Sequence, residues 1–147
     1  MMQPMYSLVK RQAEVEILPM CAEMDIKVAS YSPLGGGLLT GKYAVGGTGR
    51  LSENDRYATR YGQDYMHDAA KGLTQLGHDF GVHPATLAVA WAGRHWSNPI
   101  PIISARSVSQ LNPSLAALNL DMDDELYKQL SKLTPTPPPA TDRIEET

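Results

Sequence analysis

The chain has almost no cysteine, almost no phenylalanine and no surplus of positive charge. One cysteine, Cys21, among 147 residues excludes an internal disulfide framework. That thiol and four scattered histidines never fall at metal-ligand spacing, so no metal site is expected. The formal net charge of −3 leaves no basic footprint for nucleic acid. No apolar run approaches the ~18 residues of a membrane span. The opening MMQPMYSLVK lacks the apolar stretch of a signal peptide. A cytoplasmic protein without membrane or nucleic-acid partners is the expectation.

What is present is a hydrophobic fraction of 42% and a clear alternation of apolar and turn-forming segments. Gln3-Pro4-Met5-Tyr6 reads as the end of a strand running into a loop, as though the chain starts inside a domain. Residues 11–25 read as a helix through Val15, Leu18, Ala22 and the Ile17/Cys21 pair, with its regular part starting near Glu16 because Pro19 is awkward in a helix interior. Residues 26–31 read as a short buried strand and 35–62 as a long polar, Gly-rich loop. A helix follows over 65–80, and Pro84 opens another over 85–95. Residues 99–105 read as a second strand. Helices then follow over 109–118, capped by Ser109, and 124–133, capped by Asp123.

Strands alternating with helices imply right-handed crossovers and a parallel sheet. The fold class expected is α/β, a partial TIM (β/α)8 barrel of about three β/α units. It would occupy residues 1–134 with its C-terminal helix. The Pro-rich tail, residues 135–147, would be extended and end in a solvated Glu145-Glu146. On a fragment of a barrel, Leu73, Leu76, Leu87, Val89 and Trp91 would present apolar faces for further strands to cover. Trp91 and Trp96 read as packing residues, and Met20, Met24 and Met122 as core filler.

Two segments carry chemistry. In YSPLGGGLLTGKY, residues 31–43, three glycines follow a strand. Glycines there let the backbone approach a ligand, and the amides of residues 35–39 would line an anion pocket. The spacing is neither G-x-G-x-x-G nor a P-loop, because Tyr43 stands where the latter needs Ser or Thr. By itself the segment is also compatible with an ordinary turn. In IISARSVSQLNPSL, residues 102–115, Arg106 lies between a strand end and a helix start, with Ser107 and Ser109 beside it. An arginine fork, hydroxyls and helix amides suit a phosphomonoester. A surface arginine beside a capped helix has the same pattern.

Taken together and in this order, these segments resemble the C-terminal half of an aldo-keto reductase. The preceding QPMYSLVKRQAEVEILPMCAEMDIKVAS and the tail LTPTPPPATDRIEE are similar to that family too. The resemblance implies a (β/α) barrel, with this chain holding its last three units, and NADP(H) lying across the C-terminal strand ends. It implies Gln3 on the nicotinamide carboxamide, Tyr31 stacked on the ring, and Ser32, Pro33, Leu34, Gly36 and Leu38 around the pyrophosphate. Lys42 is a minor candidate. Arg106 and Ser107 would take the adenosine 2′-phosphate, and Gln110 and Ser114 the adenine end. The chain departs from the family at Ser104, where glycine is common, at Ser114, where asparagine is common, and at Pro113 in the helix start.

The family's catalytic Asp, Tyr, Lys and His have no counterpart motif in these residues. Tyr6, Tyr31, Lys42, His67 and Asp68 do not sit in the family's pattern and are not assigned catalytic roles. The resemblance therefore implies an NADPH-dependent carbonyl reductase present as its cofactor-binding half and inactive alone. Its substrate would be a small carbonyl compound once an N-terminal half completes it. The alternative is a non-catalytic nucleotide-binding module that assembles with itself through open barrel edges.

Overall fold

The structure, a computed structural model, describes residues 1–139; the end of the tail, with Glu145 and Glu146, lies outside them. Three extended segments run parallel. β1 (Ala29–Ser30) is central, and β2 (Ile100–Pro101) pairs with it in the register Ala29 to Ile100 and Ser30 to Pro101. On the other side, the N-terminal segment bridges Met2 to Val28 and Met5 to Tyr31. The bonds are regular: Ala29 N–H donates to Met2 O at 2.9 Å, Tyr31 N–H to Pro4 O at 3.0 Å and Ile102 N–H to Ser30 O at 2.7 Å. Both strands are shorter than their sequence stretches suggest. In β2, Ile100 and Ile102 turn their N–H groups to β1, while Pro99 and Pro101 fall at the alternate positions facing away, where a missing donor leaves this ladder intact.

Helices connect these segments. α1 (Ile17–Glu23) carries Pro19 in its first turn, where the missing N–H costs nothing. The stretch expected as a loop over 35–62 is instead structured. It holds 3-10 turns at Gly35–Thr40 and Lys42–Val45, then α2 (Arg50–Glu53) and α3 (Asp55–Arg60). α4 (Asp64–Phe80) buries Met66, Ala69, Ala70, Leu73 and Gly77 on one face and ends at Gly81, φ +65°. α5 (Pro84–Arg94) starts with proline at its first position, and the His83 ring accepts the Ala85 N–H at 3.0 Å.

α6 (Val108–Leu115) is capped by Ser107, whose Oγ accepts the Gln110 N–H at 3.3 Å; Ser109 is not the cap but hydrogen-bonds Ser107 Oγ at 2.9 Å. Pro113 lies inside this helix rather than in its first turn, and its carbonyl accepts from Thr86 Oγ1 at 2.6 Å. α7 (Asp124–Ser131) is capped by Asp123 as expected.

The core forms between the helices and one face of the sheet. Leu73, Leu87, Val89 and Trp91 are buried within this chain, so the expectation that they await further strands is corrected. Among the apolar side chains left exposed are Tyr31, Ile100 and Ile102 at the strands, and Val45, Val108 and Leu118 in the loops and helices. Met122 fills the core, whereas Met20 and Met24 are exposed, and Trp96 is 63% exposed beside His95 rather than packed inside. Met24 and Trp96 lie just past the ends of α1 and α5, where periodicity carries no burial signal; Met20 lies inside α1, between the buried Leu18 and Cys21. Among the described residues, no helix is long and apolar enough to cross a membrane.

Candidate functional site

Parallel pairing sends the C-terminal ends of β1 and β2 out on the same side, which brings the two motif loops together. Past β1 the chain turns sharply. Ser32 has φ +60°, and Gly35, Gly36 and Gly37 have φ +56°, +66° and +97°. A Cβ is strained in this left-handed region, so the three glycines satisfy the turn itself. Gly35 N–H donates to Ser32 O, and Gly37 N–H to Leu34 O, both at 3.0 Å. The alternate amides, of Ser32, Leu34 and Gly36, have no backbone acceptor among the described residues.

The glycines also make room for neighbours. A Cβ at Gly36 would stand 2.8 Å from Tyr57 Cδ1 and 3.0 Å from Tyr61 Cε2, so the α2–α3 arm packs directly onto the turn. Tyr57 and Tyr61 stack at 6.3 Å, and Arg50 and Arg60 each lie 5.6 Å over the Tyr57 ring. The Tyr61 phenol is raised above its ordinary range chiefly by burial, with the Ser32 hydroxyl opposing, and it donates to Met5 Sδ at 3.7 Å. Lys42 lies beside the turn, its Nζ 4.8 Å from the Tyr43 ring centroid and 3.6 Å from where a Gly37 Cβ would be. A Cβ at Gly49 would collide with that same Nζ. The lysine thus has a built berth, which sequence spacing alone underweights.

Past β2, Arg106 N–H donates to Gln110 Oε1 at 3.2 Å, fixing the Gln110 amide over the start of α6. Arg106, Ser107 and Gln110 are exposed on one surface, while Ser114, one turn further, is buried. Gln3 and Tyr31 are exposed on the neighbouring strands. Pro33 and Leu38 are buried, so they shape the turn rather than touch a ligand. Arg106 Nη2 reaches Glu53 Oε2 at 3.9 Å across the site.

Other candidates lie apart. Tyr6 is fully buried, donates to Glu14 Oε1 at 2.9 Å, and is held far above its ordinary range by burial and the Glu14 carboxylate. It cannot serve as a proton donor to a bound substrate. Two cavities of 460 and 480 Å³ lie along residues 4–17 and 134–139, with Gln63 and Tyr65, and neither is lined by residues of the two motif loops. Among the described residues, no three His, Cys, Asp or Glu side chains gather into a metal site.

A left-handed glycine turn and an arginine-led helix start thus lie side by side at the ends of parallel strands. The aldo/keto reductase family model matches residues 1–135, and the chain belongs to that family. It is 33% identical over 139 residues to "Uncharacterized oxidoreductase YrpG" of Bacillus subtilis, covering 92% of this chain and 40% of the relative. It is 30% identical over 133 residues to "Putative aryl-alcohol dehydrogenase C977.14c" of Schizosaccharomyces pombe, covering 89% and 37%. "Probable aldo-keto reductase 1" of Glycine max is 26% identical over 133 residues, with 88% and 38% covered. The chain therefore spans about two fifths of the length of these curated relatives.

Proposed function

We propose that this chain is the cofactor-binding part of an NADPH-dependent carbonyl reductase acting in the cytoplasm. In this reading the three parallel segments and their helices are an arc of a (β/α) barrel. One observation carries the proposal: the Leu34 and Gly36 amides, without a backbone acceptor among the described residues, and the guanidinium of Arg106 stand at adjacent strand ends. The fit to a dinucleotide is good on these residues, because amides and fixed cations suit phosphates. Leu34, Gly36 and Lys42 would hold the pyrophosphate, with Ser32, Pro33 and Leu38 shaping the turn. Arg106 and Ser107 would hold the 2′-phosphate and Gln110 the adenine end; Ser114, expected there from the sequence, is buried and drops out. Gln3 and Tyr31 would orient the nicotinamide, and the α2–α3 arm would cover it. The bound cofactor supplies a hydride to an aldehyde or ketone.

Calorimetric titration of the 147-residue chain with NADPH, with NADH as comparison, tests this. Saturable binding that favours NADPH and falls in Arg106→Ala supports the reading. Absence of binding by either dinucleotide sinks it. Since none of these residues fits the family's catalytic motifs, the chain alone is expected not to consume NADPH with a simple aldehyde. Turnover above a blank would reverse that part.

A second reading has its own observation. The outer edge of the N-terminal segment leaves the Gln3 and Met5 N–H groups without a backbone acceptor among the described residues. Such an edge can pair with a second copy. A strictly monomeric sedimentation profile across concentrations would dismiss it.

A further inference from the structure

Arg106 does not present its charge alone. Its ion pair with Glu53 joins the loop after β2 to α2, in the arm that covers the glycine turn. At 3.9 Å the contact is an ion pair without a short hydrogen bond, and the side chains are 70% and 52% exposed. Among the described residues, Glu53 is the one carboxylate within ion-pair reach of Arg106. An exposed pair of this kind is weakly held, so either member can re-partner with a ligand.

An arginine and a glutamate at one ribose position have opposite preferences. The guanidinium pairs with a 2′-phosphate. A carboxylate repels that phosphate and accepts hydrogen bonds from free ribose hydroxyls. We propose that Glu53 is a specificity-determining residue that works against Arg106 and keeps the site open to both NADPH and NADH. It competes with the 2′-phosphate for Arg106, and it offers an acceptor to the 2′-hydroxyl that NADH carries instead. Both effects lower the NADPH-to-NADH affinity ratio. The inference rests on the cofactor reading above, and only on binding at Arg106, not on hydride transfer.

The test titrates the full chain with NADPH, NADH, 2′,5′-ADP and 5′-AMP, as wild type, Glu53→Gln and Asp55→Asn. The two substitutions each remove one exposed carboxylate from the same arm. Glu53→Gln is expected to raise the NADPH-to-NADH ratio, and the 2′,5′-ADP-to-AMP ratio, about three- to five-fold, the scale of an exposed ion pair. Asp55→Asn should leave both ratios unchanged. If wild type binds both dinucleotides and Glu53→Gln leaves the ratios alone, the Glu53 inference fails and the cofactor site stands. An equal shift in Asp55→Asn also overturns it, since the effect is then one of net charge. If wild type binds none of the four ligands, both readings fail.

Discussion

Arg11 grips Glu14 with two parallel hydrogen bonds, Nε to Oε1 and Nη2 to Oε2, each 2.9 Å long. The two side chains are 12% and 15% exposed. Tyr6 donates to the same carboxylate, Arg11 Nη1 also reaches the Ser131 carbonyl at 3.0 Å, and the guanidinium lies 5.5 Å over the Trp91 ring. The Trp91 indole N–H in turn donates to Ser131 Oγ at 2.9 Å. This network ties the turn after the N-terminal segment to α5 and α7, and so holds the outer edge of the sheet beside the candidate site.

Removing one partner of a largely buried pair leaves the other charge uncompensated. Glu14→Gln is expected to lower stability by about 3 kcal/mol in urea unfolding. Replacing Arg11 and Glu14 together by apolar residues should cost less than Glu14→Gln alone. A double replacement that costs the sum of the two singles would show that the residues act independently.

Gly36 and Gly46 separate backbone strain from crowding. Both have positive φ, +66° and +77°, but a Cβ at Gly36 meets Tyr57 and Tyr61, whereas one at Gly46 meets nothing within 4 Å. Gly46→Ala should cost about 1 kcal/mol, from left-handed strain. Gly36→Ala should cost about 3 kcal/mol, since the clash adds to the strain. Equal losses would mean that the arm gives way freely, and that its packing on the turn is loose.

The same packing explains what was legible in the sequence and what was not. α4 and α5 are long enough for apolar spacing to show, and Gly81 and Pro84 mark their junction. α2 and α3 are too short to carry a period. Their helicity depends on Tyr57 and Tyr61 meeting Gly36, which is a tertiary contact, so 35–62 reads as a loop. The two motif loops are visible as residue patterns, and parallel pairing explains why they converge. The berth of Lys42 against Gly37 and Gly49, and the Glu53–Arg106 pair, join residues whose proximity no local spacing announces. Ser107 rather than Ser109 caps α6 because the helix starts one residue earlier than its apolar pattern.

His95 gives the fold a pH dependence. Burial is the main cause that lowers it below its ordinary value; Glu14's carboxylate opposes this, and the charge of Arg11 adds to it. Its Nδ1 accepts the Ser97 N–H at 3.3 Å, a role that a protonated Nδ1 cannot fill. The unfolded histidine takes a proton near pH ~6.5, while the folded one resists until lower pH. Stability is therefore full above that pH and lost as pH falls through the folded value. His83, also lowered by burial, acts in the same direction. His95→Gln should flatten the fall in melting temperature below pH ~6.5 without abolishing it. An unchanged slope would remove His95 from this account.

Ser30 offers a case where losing a polar group should help. It lies in the central strand, fully buried, and its Oγ has no hydrogen-bond partner among the described residues; Ser7 Oγ is the same. A hydroxyl taken from water without a replacement bond costs free energy. Ser30→Ala removes that cost and only one heavy atom of packing, so stability should rise by about 1 kcal/mol. The residue precedes Tyr31 and the glycine turn, and its carbonyl accepts from Ile102. A main-chain bond of that kind survives the substitution. NADPH binding should therefore be unchanged while the urea midpoint increases. A drop in stability would mean that the hydroxyl is satisfied in solution, and a loss of binding would give Ser30 a part in shaping the turn.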